Sequence, residues 1–153
     1  MTIVYTSGVF DILHRGHLNI LTKARALGDR LFVGIQNDNA VFESKGYFPA
    51  LSTQERVEQM RALRFVDEVI TYYSGTDQTE TLDSVKPDIM VQGDDWPSQA
   101  DRTKVIEYLN NHNIKLVLVP YTKGISDTEI KRRIIASFDD KKSKKSNNYV
   151  SKV

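Results

Sequence analysis

Five short apolar runs, spaced by stretches of helical periodicity, constrain this chain more than anything else in it. They are TIVYT (2–6), RLFVGIQ (30–36), VDEVITY (66–72), DIMVQG (88–93) and KLVLVPY (115–121). Each is of strand length and rich in β-branched residues. Strands that alternate with helices need crossover connections, and those connections make a parallel sheet with both faces covered. Near-continuous apolar runs fit strands buried on both sides. The expected fold is α/β: a three-layer, Rossmann-like arrangement with a five-stranded parallel sheet.

The helical stretches carry their own punctuation. Leu18, Leu21, Ala24 and Leu27 recur at helical spacing, with Gly28 as the expected stop. Ser52 to Glu55 reads as a capping box ahead of Val57, Met60 and Leu63, and Ser126 to Glu129 as a second one ahead of Ile130 and Ile134. Leu82 and Val85 mark a short helix closed by Pro87, and Val105, Ile106 and Leu109 mark another. Five helices are expected. Residues 1–138 form one domain on this reading, and 139–153 a polar, Lys/Ser-rich tail expected to be disordered.

Charge narrows the function classes. The net charge is +1, which gives no global field toward nucleic acid or membrane. No apolar run reaches the ~20 residues of a membrane span. With no cysteine, thiolate metal sites and disulfides are excluded. The expected setting is the cytoplasm, with no nucleic-acid partner and no membrane insertion.

The chemistry concentrates after the first strand, in SGVFDILHRGH (7–17). Neither a dinucleotide fingerprint nor a P-loop occurs there. Instead His14 and His17 stand three apart where a helix begins, on one face of it. Imidazole N–H groups and a helix N-terminus together suit a phosphate. Gly16 between them leaves space for backbone approach. A histidine-based zinc site lacks a third ligand apart from Asp11.

The segment Gly8-Val9-Phe10-Asp11 with His14-Arg15-Gly16-His17 resembles the G-x-F-D-x-x-H-x-G-H signature of the nucleotidylyltransferase superfamily. More closely, residues 2 to 137 resemble the cytidylyltransferases, above all the glycerol-3-phosphate cytidylyltransferases. Further blocks carry the likeness: Glu55-Arg56, Arg64 to Ile70, Val91 to Trp96, and Thr122 to Thr128. The Gly93-Asp94-Asp95-Trp96 block points toward CTP.

The resemblance implies transfer of CMP from CTP to an alcohol phosphate, with pyrophosphate released and Mg²⁺ as cofactor. It implies that His14 and His17 hold the triphosphate and stabilise the α-phosphorus. Lys45, expected in a loop, closes over phosphates, and Arg56 reaches substrate phosphate. The nucleotide is expected at Gly8, Val9, Phe10, Asp11, Gly93, Asp94, Trp96, Thr122, Gly124, Ile125, Ser126 and Thr128. Asp94 accepts from cytosine or ribose, or contacts a metal; Asp11 either binds Mg²⁺ through water or orients its loop. A homodimer is expected, through the Arg64–Ile70 block. Three positions depart from close relatives: Val9, Arg15, and Tyr121 where a functional Arg is usual. The alternatives are an adenylyltransferase acting on a sugar phosphate such as heptose-1-phosphate, an FAD-synthetase-like role, and a nucleotide-binding module without turnover.

Overall fold

The computed structural model describes residues 1–140. Five strands are present: β1 (Ile3–Gly8), β2 (Arg30–Gln36), β3 (Glu68–Tyr72), β4 (Ile89–Gly93) and β5 (Lys115–Val119). All pair in parallel, in the order β3-β2-β1-β4-β5. The five apolar runs therefore become the five strands. Seven helices flank them: α1 (Arg15–Arg25), α2 (Asp38–Lys45), α3 (Thr53–Arg61), α4 (Thr79–Val85), α5 (Trp96–Gln99), α6 (Thr103–Asn111) and α7 (Asp127–Asp140).

The two layers of core follow from strand alternation. Val4 of β1 and Val91 of β4 point to one face, with Leu21 and Ala24 of α1 and Val57 and Met60 of α3. Their neighbours Tyr5 and Met90 point to the other, with Leu82, Val105 and Leu109 of α4 and α6. The amino ends of two strands are pinned by aspartates on the connections. Asp88 accepts from the Ile3 amide at 2.8 Å, and Asp67 accepts from the Leu31 amide at 2.8 Å.

Several sequence expectations need correction. Lys45 is not in a loop; it ends α2, a helix whose short apolar content gave no clear period, and whose cap is Asn37 accepting from Asn39. The four-residue α5 was too short to show a period. The first helix ends at Arg25, before Gly28. Gly28 is needed instead where the chain passes β1, since a Cβ there would lie 2.8 Å from the Thr2 carbonyl. The helix α7 runs to Asp140, two residues into the expected tail. The lysine-rich remainder of that tail lies outside the described residues.

The box at Ser52 is complete: its hydroxyl accepts from Glu55 N, and the Glu55 carboxylate accepts from Ser52 N. The box at Ser126 is half formed. Ser126 accepts from Glu129 N, while the Glu129 carboxylate pairs with Arg132 and Arg133.

Arg56 is the largest correction. Its position one turn into α3 read as either a phosphate ligand or an exposed helix charge, but it is buried, at 1% exposure. Its Nε donates to Leu51 O at 3.0 Å, and Nη1 donates to Val9 O and Gln36 O, both at 2.8 Å. Nη2 donates to Asp38 Oδ1 at 2.6 Å and to Thr53 Oγ1 at 3.3 Å. All five guanidinium N–H groups are thereby committed. Burial would raise the Asp38 carboxyl, but hydrogen bonds from Thr53 and Arg56 outweigh it and hold the group below its ordinary range.

Breaking a buried charge network by removing one partner costs about 3–5 kcal/mol. Arg56→Met and Arg56→Lys should each lower Tm by roughly 10 °C, at the 2–4 °C per kcal/mol typical of this size. Lysine keeps the charge but not the fork. Thermal unfolding of both variants checks this, and a Lys variant melting with the wild type would contradict the anchor.

Candidate active site

The chain leaves β1 for β2 and β3 on one side, and β4 and β5 lie on the other. In such a sheet the carboxyl ends of the two central strands part and leave a crevice. A cavity of about 450 Å³ lies there, lined by Gly8, Val9 and Phe10 after β1 and by Gln92 and Gly93 at the end of β4.

His14 is the N-cap of α1. Its extended backbone (φ −145°, ψ 175°) ends the loop, and its Nδ1 accepts from the Gly16 amide at 3.0 Å. A histidine thus does the work usually done by Ser or Asp. Because Nδ1 is an acceptor, the neutral ring carries its proton on Nε2. A Cβ at Gly16 would lie 2.9 Å from the His14 ring, so glycine is required between the two histidines. One turn on, the His17 ring stacks on His14 with centroids 3.7 Å apart and planes at 23°. Phe10 backs the pair, edge-on to His17 at 5.1 Å. Its own backbone is left-handed (φ 50°), a strained conformation for an aromatic residue beside the site.

Asp127, at the start of α7, was not singled out in the sequence. Its Oδ1 lies 3.1 Å from His14 Nε2 and 3.8 Å from His17 Nε2. That oxygen is buried without a well-formed hydrogen bond. Burial first, and the His14 charge second, push the His17 imidazole down to about 3, against the Asp11 carboxylate. Burial also lowers His14, although Asp127 opposes it, and burial raises Asp127. The group is therefore a pair of neutral imidazoles facing one carboxylate.

These three side chains come within reach of a single cation. The nearly parallel rings argue otherwise. Their in-plane lone pairs run side by side, so an ion about 2.1 Å from both nitrogens would sit well out of both ring planes. The Nε2–H of His14, beside the N-terminal end of α1, instead suits a phosphoryl oxygen.

The remaining expected residues divide. Gly8, Val9, Phe10, His14, His17, Lys45, Gly93, Thr122, Ile125, Ser126 and Thr128 line the cavity. Thr122 accepts from Asn19 Nδ2 at 3.1 Å. Asp11, Arg56, Asp94, Trp96 and Gly124 are not in the lining. Asp11 is 2% exposed; its oxygens accept from Ala50 N (2.8 Å) and Leu51 N (2.9 Å), and Lys131 Nζ lies 3.2 Å away. It fits loop orientation and not metal ligation. Asp94 accepts from the Tyr121 amide at 3.1 Å, while its neighbour Asp95 lines the cavity. Trp96 is core, 5% exposed. Gly124 takes the left-handed φ of 81° just behind the lining. Asn19, Tyr47, Asp95 and Asp127 were missed, being polar residues without local spacing to mark them.

Among the described residues, no helix is long and apolar enough to cross a membrane. Comparison with known proteins shows the family. Residues 5–139 match the family model described as cytidylyltransferase-like. The ethanolamine-phosphate cytidylyltransferase of Dictyostelium discoideum is 37% identical over 137 residues, covering 90% of this chain and 38% of that protein. The bifunctional protein HldE of Syntrophotalea carbinolica is 34% identical over 139 residues, covering 90% of this chain and 28% of that one. The chain thus spans well under half the length of these relatives. The FAD synthase of Thermococcus sibiricus is 38% identical over 118 residues, covering 77% and 80%. A lipopolysaccharide core biosynthesis protein from Thermoplasma volcanium superposes with a TM-score of 0.67 at 32% identity, covering 82% and 99%. With its paired histidines at the head of α1, its parallel sheet and this match along nearly its whole described length, the chain belongs to the cytidylyltransferase-like family of the nucleotidylyltransferase superfamily.

Proposed function

We propose that this protein transfers a nucleotidyl group, CMP from CTP, to an alcohol phosphate, with glycerol-3-phosphate the acceptor expected from the sequence. One observation carries the reading. Two neutral imidazoles stack at the N-terminus of α1 and open onto the crevice between β1 and β4. Nucleotidyl transfer asks little covalent chemistry of a protein; it asks for alignment and charge stabilisation. An oxygen of the acceptor phosphate attacks the α-phosphorus, the α–β phosphoanhydride bond breaks, and pyrophosphate leaves with the electron pair. No enzyme nucleophile is needed. The imidazoles of His14 and His17 donate N–H groups to oxygens on the phosphorus, in a site that excludes much of the water around them. Lys45, in the cavity lining, adds mobile positive charge. Mg²⁺ enters the proposal as a companion of the triphosphate, and Asp11 is not its ligand.

The incoming phosphate and the Asp127 carboxylate address the same N–H groups, so binding requires Asp127 to yield. The adenylyltransferase reading keeps the same cradle and differs in the base. Pyrophosphate release with CTP, ATP, UTP and GTP, each with glycerol-3-phosphate and with heptose-1-phosphate, separates them. CTP is expected to lead; preference for ATP would overturn the choice of base, and nucleotide binding without release would point to a module without turnover.

The variant His17→Ala should lower kcat by ~10²-fold or more, the scale of a lost transition-state donor. A folded variant with near-normal turnover would sink the role.

Stability should also report His17. Its folded-state value of about 3 lies below the ordinary 6.5. Between those values the unfolded chain binds a proton that the folded chain does not, so stability falls as pH drops below 6.5. At about 1.4 kcal/mol per pH unit, the loss reaches roughly 2 kcal/mol at pH 5. The raised carboxyl of Asp127 offsets part of this toward acid pH. Thermal unfolding at pH 7 and pH 5 should show a smaller decline for His17→Asn than for the wild type.

A further inference from the structure

A second chamber of about 400 Å³ adjoins the first. Ser7, Gly8, Val9, Lys45, Gln92 and Gln99 line both, so the two meet over the carboxyl end of β1, with Lys45 at the seam. The second chamber is polar and one-sided in charge. Among the described residues lining it there is no Asp or Glu, and its charges are the cations Lys45 and Arg102. Burial pushes the Tyr72 hydroxyl up to about 12, so it stays neutral.

Its hydrogen-bonding groups are half used. Gln78 is 2% exposed, and its Oε1 accepts from the Tyr5 hydroxyl at 3.0 Å, which leaves its amide N–H groups as donors. Gln92 is 4% exposed, and its Nε2 donates to Ser7 Oγ at 2.8 Å, which leaves Oε1 as an acceptor. Arg102 is held by Nη1 on Gly75 O at 2.8 Å and by Nε on Trp96 O at 3.2 Å, which leaves Nη2. The Arg102 guanidinium lies 4.6 Å from the Trp96 ring centroid, so that aromatic face already has its cation.

We propose that this chamber receives the acceptor, and that the acceptor is a phosphorylated polyol or sugar selected by Gln78, Gln92 and Arg102. The proposal rests on the nucleotidyl-transfer reading. The acceptor's phosphate lies at Lys45, at the seam, where one of its oxygens bonds to the α-phosphorus as pyrophosphate departs. Its hydroxyls, which can both donate and accept, meet the free donors of Gln78 and Arg102 and the free Oε1 of Gln92. An amino-alcohol phosphate is rejected by the same walls. Its ammonium group would lose water beside Arg102 with no carboxylate to replace it, and the aromatic face is occupied. This separates the chain from its relative named for ethanolamine phosphate.

The test is steady-state pyrophosphate release with CTP, ATP, UTP or GTP. The acceptors are glycerol-3-phosphate, ribitol-5-phosphate and heptose-1-phosphate, against phosphoethanolamine and phosphocholine. Glycerol-3-phosphate and phosphoethanolamine are close in size, so charge is the variable read. The best polyol or sugar phosphate should exceed the best amino-alcohol phosphate at least ~10-fold in kcat/KM, the scale of one unsatisfied charged group. Arg102→Lys and Gln78→Met should each raise the acceptor KM ~10-fold while leaving the nucleotide KM unchanged. Equal or better turnover of phosphoethanolamine or phosphocholine overturns the chamber assignment and leaves nucleotidyl transfer standing. So does an unchanged acceptor KM in both folded variants. Silence with every pairing overturns nucleotidyl transfer itself, and this inference with it.

Discussion

A single guanidinium holds the floor of the site. Arg56 binds the carbonyl after β1 (Val9), the carbonyl at the end of β2 (Gln36), the carbonyl before α3 (Leu51), and the side chains of Asp38 and Thr53. Burying a charge is costly, and the cost is met only because every N–H finds an oxygen. Those carbonyls would otherwise be orphans, since a parallel sheet ends where its ladder ends. The Val9 carbonyl sets the loop that carries Phe10 and leads to His14. The placement of the imidazole pair therefore depends on a residue that does not line its cavity. Asp11 works on the same loop from the other side, through the amides of Ala50 and Leu51. The two segments that border the crevice are thus tied to each other before any ligand arrives.

Above that floor, the cradle is made of groups that are neutral on their own account. A cationic pair of stacked histidines would repel itself, and burial keeps His17 uncharged. On the proposed function, attraction for phosphate comes from oriented N–H dipoles, the end of α1 and lysine, not from two imidazolium charges. The cradle also holds an anion of its own. Asp127 stands 3.1 Å from His14, facing its Nε2 without a well-formed hydrogen bond. Like charges do not share such a spot.

Much of the fold was legible because a parallel sheet writes itself into local sequence. Each strand is buried on both faces and so must be an apolar run, and all five runs became strands. The helices α2 and α5 were not legible. One has little apolar period and the other is a single turn that begins at the core residue Trp96. In the site, the histidine pair was visible because both members lie on one helical turn. Asp127 was not, since it comes more than a hundred residues later and only the return of α7 brings it in. Arg56 was misread for a related reason. Sequence shows a cation on a helix, but its burial follows from three carbonyls contributed by two connections and the end of β2. Asp94 and Asp95 show the smallest scale of this: adjacent carboxylates, of which the second faces the cavity and the first binds the Tyr121 amide.

The two chambers draw on different stretches of chain, and this bears on how such a protein changes over generations. The imidazole cradle is built by residues 8–17 and by the loop and helix start at 122–128. The walls peculiar to the second chamber come from 72–78 and, Gln99 apart, from 96–102, with Gln36 and Ser44. Neither of those two segments carries a cradle residue. Substitutions in them can reshape one pocket without touching residues 8–17 or 122–128. Only the seam, Ser7 to Val9 with Lys45, Gln92 and Gln99, answers to both. A chain with this division can change the walls of its second chamber one loop at a time and leave the cradle as it stands.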